Sequence, residues 1–214
     1  MKKRLLAGRK KSAGVEKPHH LFHKEADFME DAKLNEIIQH KETVYQGILI
    51  RLEHWDVSLP NGDICKREIA SHIGAAAVVA IDDQERIVLV RQARVAVGRI
   101  THEIPAGKLD APDEDPLTCA KRELSEETGL TAERWQKLTV LETTPGFCNE
   151  RIHIYMATGL HEGNSHPDED EFVDVERMPL NEAIEHVMKG DFHDGKTCIG
   201  ILMAARLHQI NGRA

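Results

Sequence analysis

Apolar positions along the chain change period several times, and the changes mark out its elements. Leu34, Ile37 and Ile38 fit a short helix. From Thr43 the pattern turns to strand: Ile48, Ile50 and Leu52 alternate in one phase, then Trp55, Val57 and Leu59 in the other. That slip predicts a bulge or bend near Glu53–His54. Pro60-Asn61-Gly62-Asp63 reads as a hairpin turn returning the chain along Ile64–Ser71. Ala75–Ile81 and Ile87–Val90 read as a buried strand pair around Asp82-Asp83-Gln84-Glu85. Pro116–Thr128 is the clearest helix, with Asp115 to cap it, Pro116 at its first position and Gly129 to end it. Leu117, Ala120 and Leu124 form its core stripe. Strands follow at Lys137–Glu142, Ile152–Ala157 and Phe172–Glu176. Leu180, Ala183, Ile184 and Val187 then mark an amphipathic helix, and a last helix spans Thr197–Ile210. Strands, a helix, strands and helices without repeat predict one α+β domain behind an N-terminal extension.

Composition narrows the function classes. Of 214 residues 41% are apolar and 30% charged, enough for a core and ordinary for a soluble chain. No run approaches eighteen apolar residues, and Arg9 interrupts the only apolar stretch near the N-terminus, so a cytoplasmic location is expected. The first eleven residues carry six basic side chains and no acid. The remainder holds 22 basic against 36 acidic groups, net −14, which argues against coating nucleic acid and fits a scaffold that binds cations. Cys65, Cys119, Cys148 and Cys198 contain no Cys-x-x-Cys pair, so reduced thiols are expected rather than a zinc site or disulfides. His19, His20 and His23 lie in a charged stretch and read as solvated. Residues 1–28 read as a basic tail.

Chemistry concentrates on the helix. Glu123 and Glu127 are four apart with Glu126 between, so three carboxylates share one face, placed opposite the Leu117/Ala120/Leu124 stripe. Like charges at this spacing repel by about 0.2–0.5 kcal/mol per pair. Two readings stand at this point: hard oxygen ligands for a divalent cation, or a solvated acidic face with Arg122 pairing to Glu126.

The wider spacing Glu114-x7-Arg122-Glu123-Leu124-x-Glu126-Glu127-x-Gly129-Leu130 resembles the signature of the Nudix hydrolases. Gly107 stands seven residues before Glu114, where the family usually has six, so the loop is one residue longer. Glu103-Ile-Pro-Ala-Gly107, Thr144-Pro145-Gly146-Phe147 and Asp168-Glu-Asp-Glu171 are similar to the ADP-ribose pyrophosphatase branch, with Pro145 fifteen residues past Leu130. The resemblance covers roughly residues 40–210. It implies a Nudix-type α/β/α sandwich with a mixed sheet and an N-terminal antiparallel β extension. The implied division is 1–28 as tail, 29–72 as β extension and 73–214 as Nudix domain.

For the site, the resemblance implies Mg²⁺ (or Mn²⁺) held by Glu123, Glu127, the bridging Glu126, the Ala106 carbonyl and Glu171. Glu169 is implied as the base, with the roles of Glu169 and Glu171 exchangeable, and Glu127 as catalytic. Arg94, in a Gln-x-Arg segment, is implied to bind phosphate; Arg67, Glu68, Glu103 and Pro145 are implied substrate contacts. Gly107, Glu114, Arg122 and Gly129 are implied to shape the motif. The implied activity is Mg²⁺-dependent hydrolysis of ADP-ribose to AMP and ribose 5-phosphate by a homodimer. Alternatives are another nucleotide sugar or dinucleotide (ADP-glucose, GDP-mannose, NADH), or a non-catalytic nucleotide sensor. No membrane or nucleic-acid partner is expected.

Overall fold

A computed structural model describes residues 33–166 and 172–211 of the chain. The expected N-terminal tail and the acidic run Asp168–Glu171 lie outside the described residues. Three antiparallel strands come first: β1 (Ile37–Gln46), β2 (Arg51–Ser58) and β3 (Ile64–Ser71), in the order β1-β2-β3. The second sheet is mixed and holds β4 (Ala75–Ile81), β5 (Arg86–Arg94), β6 (Arg99–Glu103), β7 (Ala106–Lys108), β8 (Thr131–Glu142), β9 (Arg151–His161) and β10 (Val173–Pro179). Its path is β10-β5-β4-β9-β8, with β6 on β5 and β7 on β4. Only β4 and β9 run parallel. The helices are α1 (Pro116–Thr128), α2 (Leu180–Lys189) and α3 (Gly195–Asn211).

The central strand explains the layering. All seven residues of β4 are buried, so both faces of the sheet are covered and the sequence there is an unbroken apolar run. Ala76, Val78, Ala80 and Val88 pack with Ala120 and Leu124 of α1. Ala77, Val79, Ile81, Ile87 and Leu89 pack with Ala183 of α2 and with Ile201 and Ala204 of α3. The expected α/β/α sandwich with a mixed sheet and an N-terminal antiparallel sheet is the fold observed. Gly200 lets α3 lie close, since a Cβ there would stand 2.7 Å from Val79 Cγ2.

Local chemistry sets α1 as its sequence predicts. The Asp115 carboxylate accepts from Thr118 N at 3.1 Å, Pro116 opens the helix, and Gly129 closes it in the left-handed region at φ 73°. Two expectations at the N-terminus change. Ile37 and Ile38 belong to β1, paired with Ser58 and Val57, rather than to a helix. Eight residues of β1 pair along β2, a tertiary partner that a short isolated helix would lack. The irregularity expected near Glu53–His54 is carried by the partner strand: β2 pairs with β3 without a break from Arg51 to Ser58, while the shift in β1 faces Glu53 and Leu52. The irregularities fall on β1, between Ile38 and His40 and between Thr43 and Tyr45. The phase slip has another cause: Ile48 and Ile50 lie in the turn closed by Gly47 N to Ile50 O at 2.9 Å, with Ile48 fully exposed.

Candidate active site

Helix α1 presents Glu123 and Glu127 to β7, not to water. The two residues are 7% and 2% exposed, and Glu126 is half-buried beside them. The expected acidic face opposite the apolar stripe is therefore corrected: two of the three glutamates lie on the packed side, next to Leu124. Gly107 makes this possible. A Cβ there would sit 2.1 Å from the Cδ and Oε1 atoms of Glu123, so only glycine leaves room for the carboxylate against the strand. Burying a carboxylate is costly unless it is paired or hydrogen-bonded. Ala106 N donates to Glu127 Oε2 at 3.1 Å, and Arg122 Nη1 donates to Glu123 Oε1 at 2.7 Å and Glu126 Oε2 at 3.0 Å.

Arg122 also ties the helix to the preceding loop. Its Nη2 donates to the Lys108 carbonyl at 3.2 Å, and Asp110 and Glu114 lie 3.4 and 3.7 Å from the guanidinium. Glu114 Oε2 accepts from Asp110 N at 2.6 Å, closing the loop across its extra residue. At the far end, Gly129 packs against the 163–165 segment, and His166 N donates to the Glu126 carbonyl at 2.9 Å. The chain thus enters the acidic run 168–171 from a point fixed to the glutamate helix. Cys119 lies beneath this junction. Burial, reinforced by the Glu123 charge, pushes its thiol up to about 12, so it stays protonated.

A cleft of 540 Å³ opens beside these acids, lined among others by Arg94, Ala106, Gly107, Glu123, Glu126 and Lys196. Its cationic wall is built on Glu103, which is 3% exposed at the end of β6. Arg94 Nε and Nη2 donate to Glu103 Oε1 and Oε2 at 2.8 Å each, Thr101 Oγ1 donates to Oε1 at 2.6 Å, and Lys196 Nζ donates to Oε2. Every acceptor position of Glu103 is used within the protein, where it holds Arg94 and Lys196.

Burial by itself would push the Glu103 carboxyl up. The Arg94 hydrogen bonds and the Lys196 charge overcome that and hold it well below the usual carboxylate range. The folded state therefore releases this proton more readily than the unfolded chain. Its stabilising contribution is complete above the ordinary value of 4.5 and is withdrawn as pH falls below it. Thermal midpoints measured from pH 7 to pH 3 are expected to drop more steeply for the wild-type chain than for Glu103→Gln. Parallel acid limbs would remove Glu103 from that role.

Not every expected residue reaches the cleft. Arg67 and Glu68 lie on β3, where Arg67 pairs with Glu36 and Glu68 stands 3.8 Å from His54. Pro145 is exposed in the turn of residues 144–147, which is pinned to β3 by Ala70 N to Phe147 O at 2.7 Å. The structure places these three on the N-terminal sheet side and outside the cleft wall of the single chain. Glu169 and Glu171 lie outside the described residues. For Ala106, the contact observed is its amide to Glu127. Among the described residues no three His, Cys, Asp or Glu side chains converge on one point.

The cleft also contains residues that the sequence did not single out: Lys196, Glu150 and His72. Lys196 follows a run of residues with no motif of its own. Glu150 lies five residues past Pro145 and stands 3.5 Å from His72 Nδ1, which accepts from Gly74 N at 3.0 Å.

Buried carboxylates on one helix thus stand beside a cleft whose other wall carries a guanidinium and an ammonium. A model of the NUDIX domain matches residues 71–197. A methanol dehydrogenase activator of Bacillus methanolicus is 44% identical over 162 residues, spanning 75% of this chain and 87% of its own length. The ADP-ribose pyrophosphatase of Bacillus subtilis (strain 168) is 44% identical over 163 residues, spanning 75% and 88%. A crystal structure of an ADP compounds hydrolase has the same fold, with a TM-score of 0.73 at 24% identity, over 84% of this chain and 97% of that one. The chain belongs to the NUDIX family.

Proposed function

We propose that this Nudix hydrolase cleaves the pyrophosphate of a nucleoside diphosphate sugar, with ADP-ribose as substrate and AMP and ribose 5-phosphate as products. The observation that carries the reading is the pair of buried carboxylates against β7, Glu123 accommodated by Gly107 and Glu127 held by the Ala106 amide, beside a cleft that also holds Arg94. The 44% identity to an ADP-ribose pyrophosphatase supports the choice of substrate. Water adds to one phosphorus, the bridging P–O bond breaks, and two phosphate monoesters separate; both protons of the water are released as the monoesters reach their dianionic form.

The donor set fits a divalent metal. Glu123, Glu126 and Glu127 offer hard carboxylate oxygens, Gly107 leaves room for the Glu123 carboxylate against the strand, and the Ala106 carbonyl completes the proposed set. Mg²⁺ bound there would screen the phosphate charge and lower the pKa of water. The protein's own part is positional. Arg122 fixes the glutamates, the 106–110 segment faces the substrate, and the Arg94 guanidinium matches a phosphate edge. Glu169 is proposed as the base that takes the proton and Glu171 as a further ligand. In support, the chain reaches that segment from His166, bound to the carbonyl of Glu126.

A homodimer completes the reading, with Arg67 and Glu68 directed to the base of the nucleotide across the interface. Ile37, Val44, Tyr45, Ile48 and Leu49, all exposed on the N-terminal sheet and its turn, support a covered surface there. No described helix is long and apolar enough to cross a membrane. The expected result with ADP-ribose and Mg²⁺ is AMP and ribose 5-phosphate in equal amounts, abolished by a chelator and restored by added metal. Metal-independent turnover would overturn the metal site. Equal kcat/KM for ADP-ribose, ADP-glucose and GDP-mannose would overturn the substrate choice.

A further inference from the structure

The cationic wall of the cleft is held from an unexpected direction, the first turn of α3. Asp194 caps that helix, its Oδ2 accepting from Thr197 N at 3.0 Å, while its Oδ1 lies 3.1 Å from Lys196 Nζ. Thr197, fully buried, accepts through Oγ1 from Ile104 N at 2.9 Å. The turn is thereby clasped to the end of β6, and Lys196, 9% exposed, reaches Glu103. Arg94 presents a different picture. Its side chain is 44% exposed, and two of its nitrogens are spent on Glu103, while Nη1 has no hydrogen-bond partner among the described residues. A long, half-exposed arginine has many rotamers, and it is a fixed fork here only because the carboxylate it grips is itself immobile.

We infer that Lys196 is a positioning residue: by anchoring Glu103 it fixes the Arg94 guanidinium, with its Nη1 donors turned to an anionic oxygen of the substrate. The inference rests on the reading of the cleft as a phosphoanhydride site. Charge counting agrees. Arg94 and Lys196 balance Glu103 and Asp194, so these four groups sum to zero, and the guanidinium is by far the more exposed of the two donors. Without Lys196 the remaining three carry one net negative charge beside a polyanion, and Glu103 keeps a single cationic partner. Lys196 also lines the cleft itself, so the competing arrangement is a direct ammonium–phosphate contact. The two differ in how Lys196 and Arg94 combine: a residue acting through Arg94 loses its effect once Arg94 is gone.

The experiment is a double-mutant cycle on the full chain with ADP-ribose and Mg²⁺. Lys196→Met is expected to raise KM about tenfold while kcat stays within about threefold, the signature of lost uniform binding. Lys196→Arg restores KM, and Lys196→Met adds less than about twofold in an Arg94→Gln background. In parallel, nitrogen-15 spectra follow the Arg94 Nε–H. It is slowly exchanging in the wild-type chain, rapidly exchanging in Lys196→Met and recovered in Lys196→Arg. Additive KM effects, or an unchanged Nε–H signal in Lys196→Met, would overturn the inference. If Met at 196 prevents folding, Lys196→Arg carries the test, and loss of the Arg94 signal in a folded Arg variant overturns it. Lack of turnover by the wild-type chain would count against the hydrolase reading alone, because the spectroscopic comparison needs no substrate.

Discussion

Replacing Glu127 with glutamine is expected to cut kcat about 10³-fold, because a Lewis acid contributes several kcal/mol and each ~1.4 kcal/mol is tenfold in rate. Glutamine keeps the shape and an acceptor for the Ala106 amide, now 3.1 Å from Oε2. It removes a formal charge from a residue only 2% exposed. The folded state is expected to keep its stability to within about 1 kcal/mol, since glutamine keeps the Ala106 contact and relieves like-charge repulsion with Glu123 four residues away. Activity falling while the thermal midpoint holds separates a ligand from a structural carboxylate. Turnover within tenfold of wild type would take Glu127 out of the metal site.

The second large effect comes from the smallest change. Gly107→Ala adds one methyl group, whose carbon would lie 2.1 Å from Glu123 Cδ and 2.3 Å from Oε2. Glu123 is held by Arg122 at 2.7 Å, so the new methyl group displaces a restrained carboxylate. Overpacking of this kind costs about 1–3 kcal/mol of stability. Misplacing a reacting group by about 1 Å costs about 10²-fold in rate. Both are expected in Gly107→Ala, measured by urea unfolding and by product formation. Gly146→Ala serves as the control, since nothing lies within 4 Å of a Cβ there. A fully active Gly107→Ala would show that Glu123 need not approach β7.

These two residues also separate what is legible locally from what is not. The limits of α1 follow from Asp115, Pro116 and Gly129, each acting on backbone groups within four residues, and the structure begins and ends the helix where they predict. The hairpin at Pro60–Asp63 and the buried run Ala75–Ile81 are legible for the same reason. Ile37 and Ile38 depart from the local pattern because three apolar residues at helical spacing cannot outweigh a strand partner about twenty residues away. Burial of Glu123 and Glu127 was hidden too. Helical spacing says that they share a face, but only the approach of Gly107 from β7 says that this face is packed.

Lys196 is the extreme case. Its carboxylate partner is 93 residues away on β6, and no spacing rule connects the first turn of one helix to a strand end that far back. Arg67 and Glu68 differ in the opposite sense: their pattern is recognisable, and β3 carries them into the N-terminal sheet, outside the cleft wall of the single chain.

The sequence by itself determined the α+β class, the glutamate helix with its caps and the family signature, because periodicity, capping and ligand spacing act over a few residues. The tertiary structure alone decided that two of the glutamates are buried, that Glu103 holds Arg94 and Lys196, and that α3 supplies Lys196. Each of those depends on strands and helices distant in the chain meeting at one place, where desolvation makes every charge seek a partner.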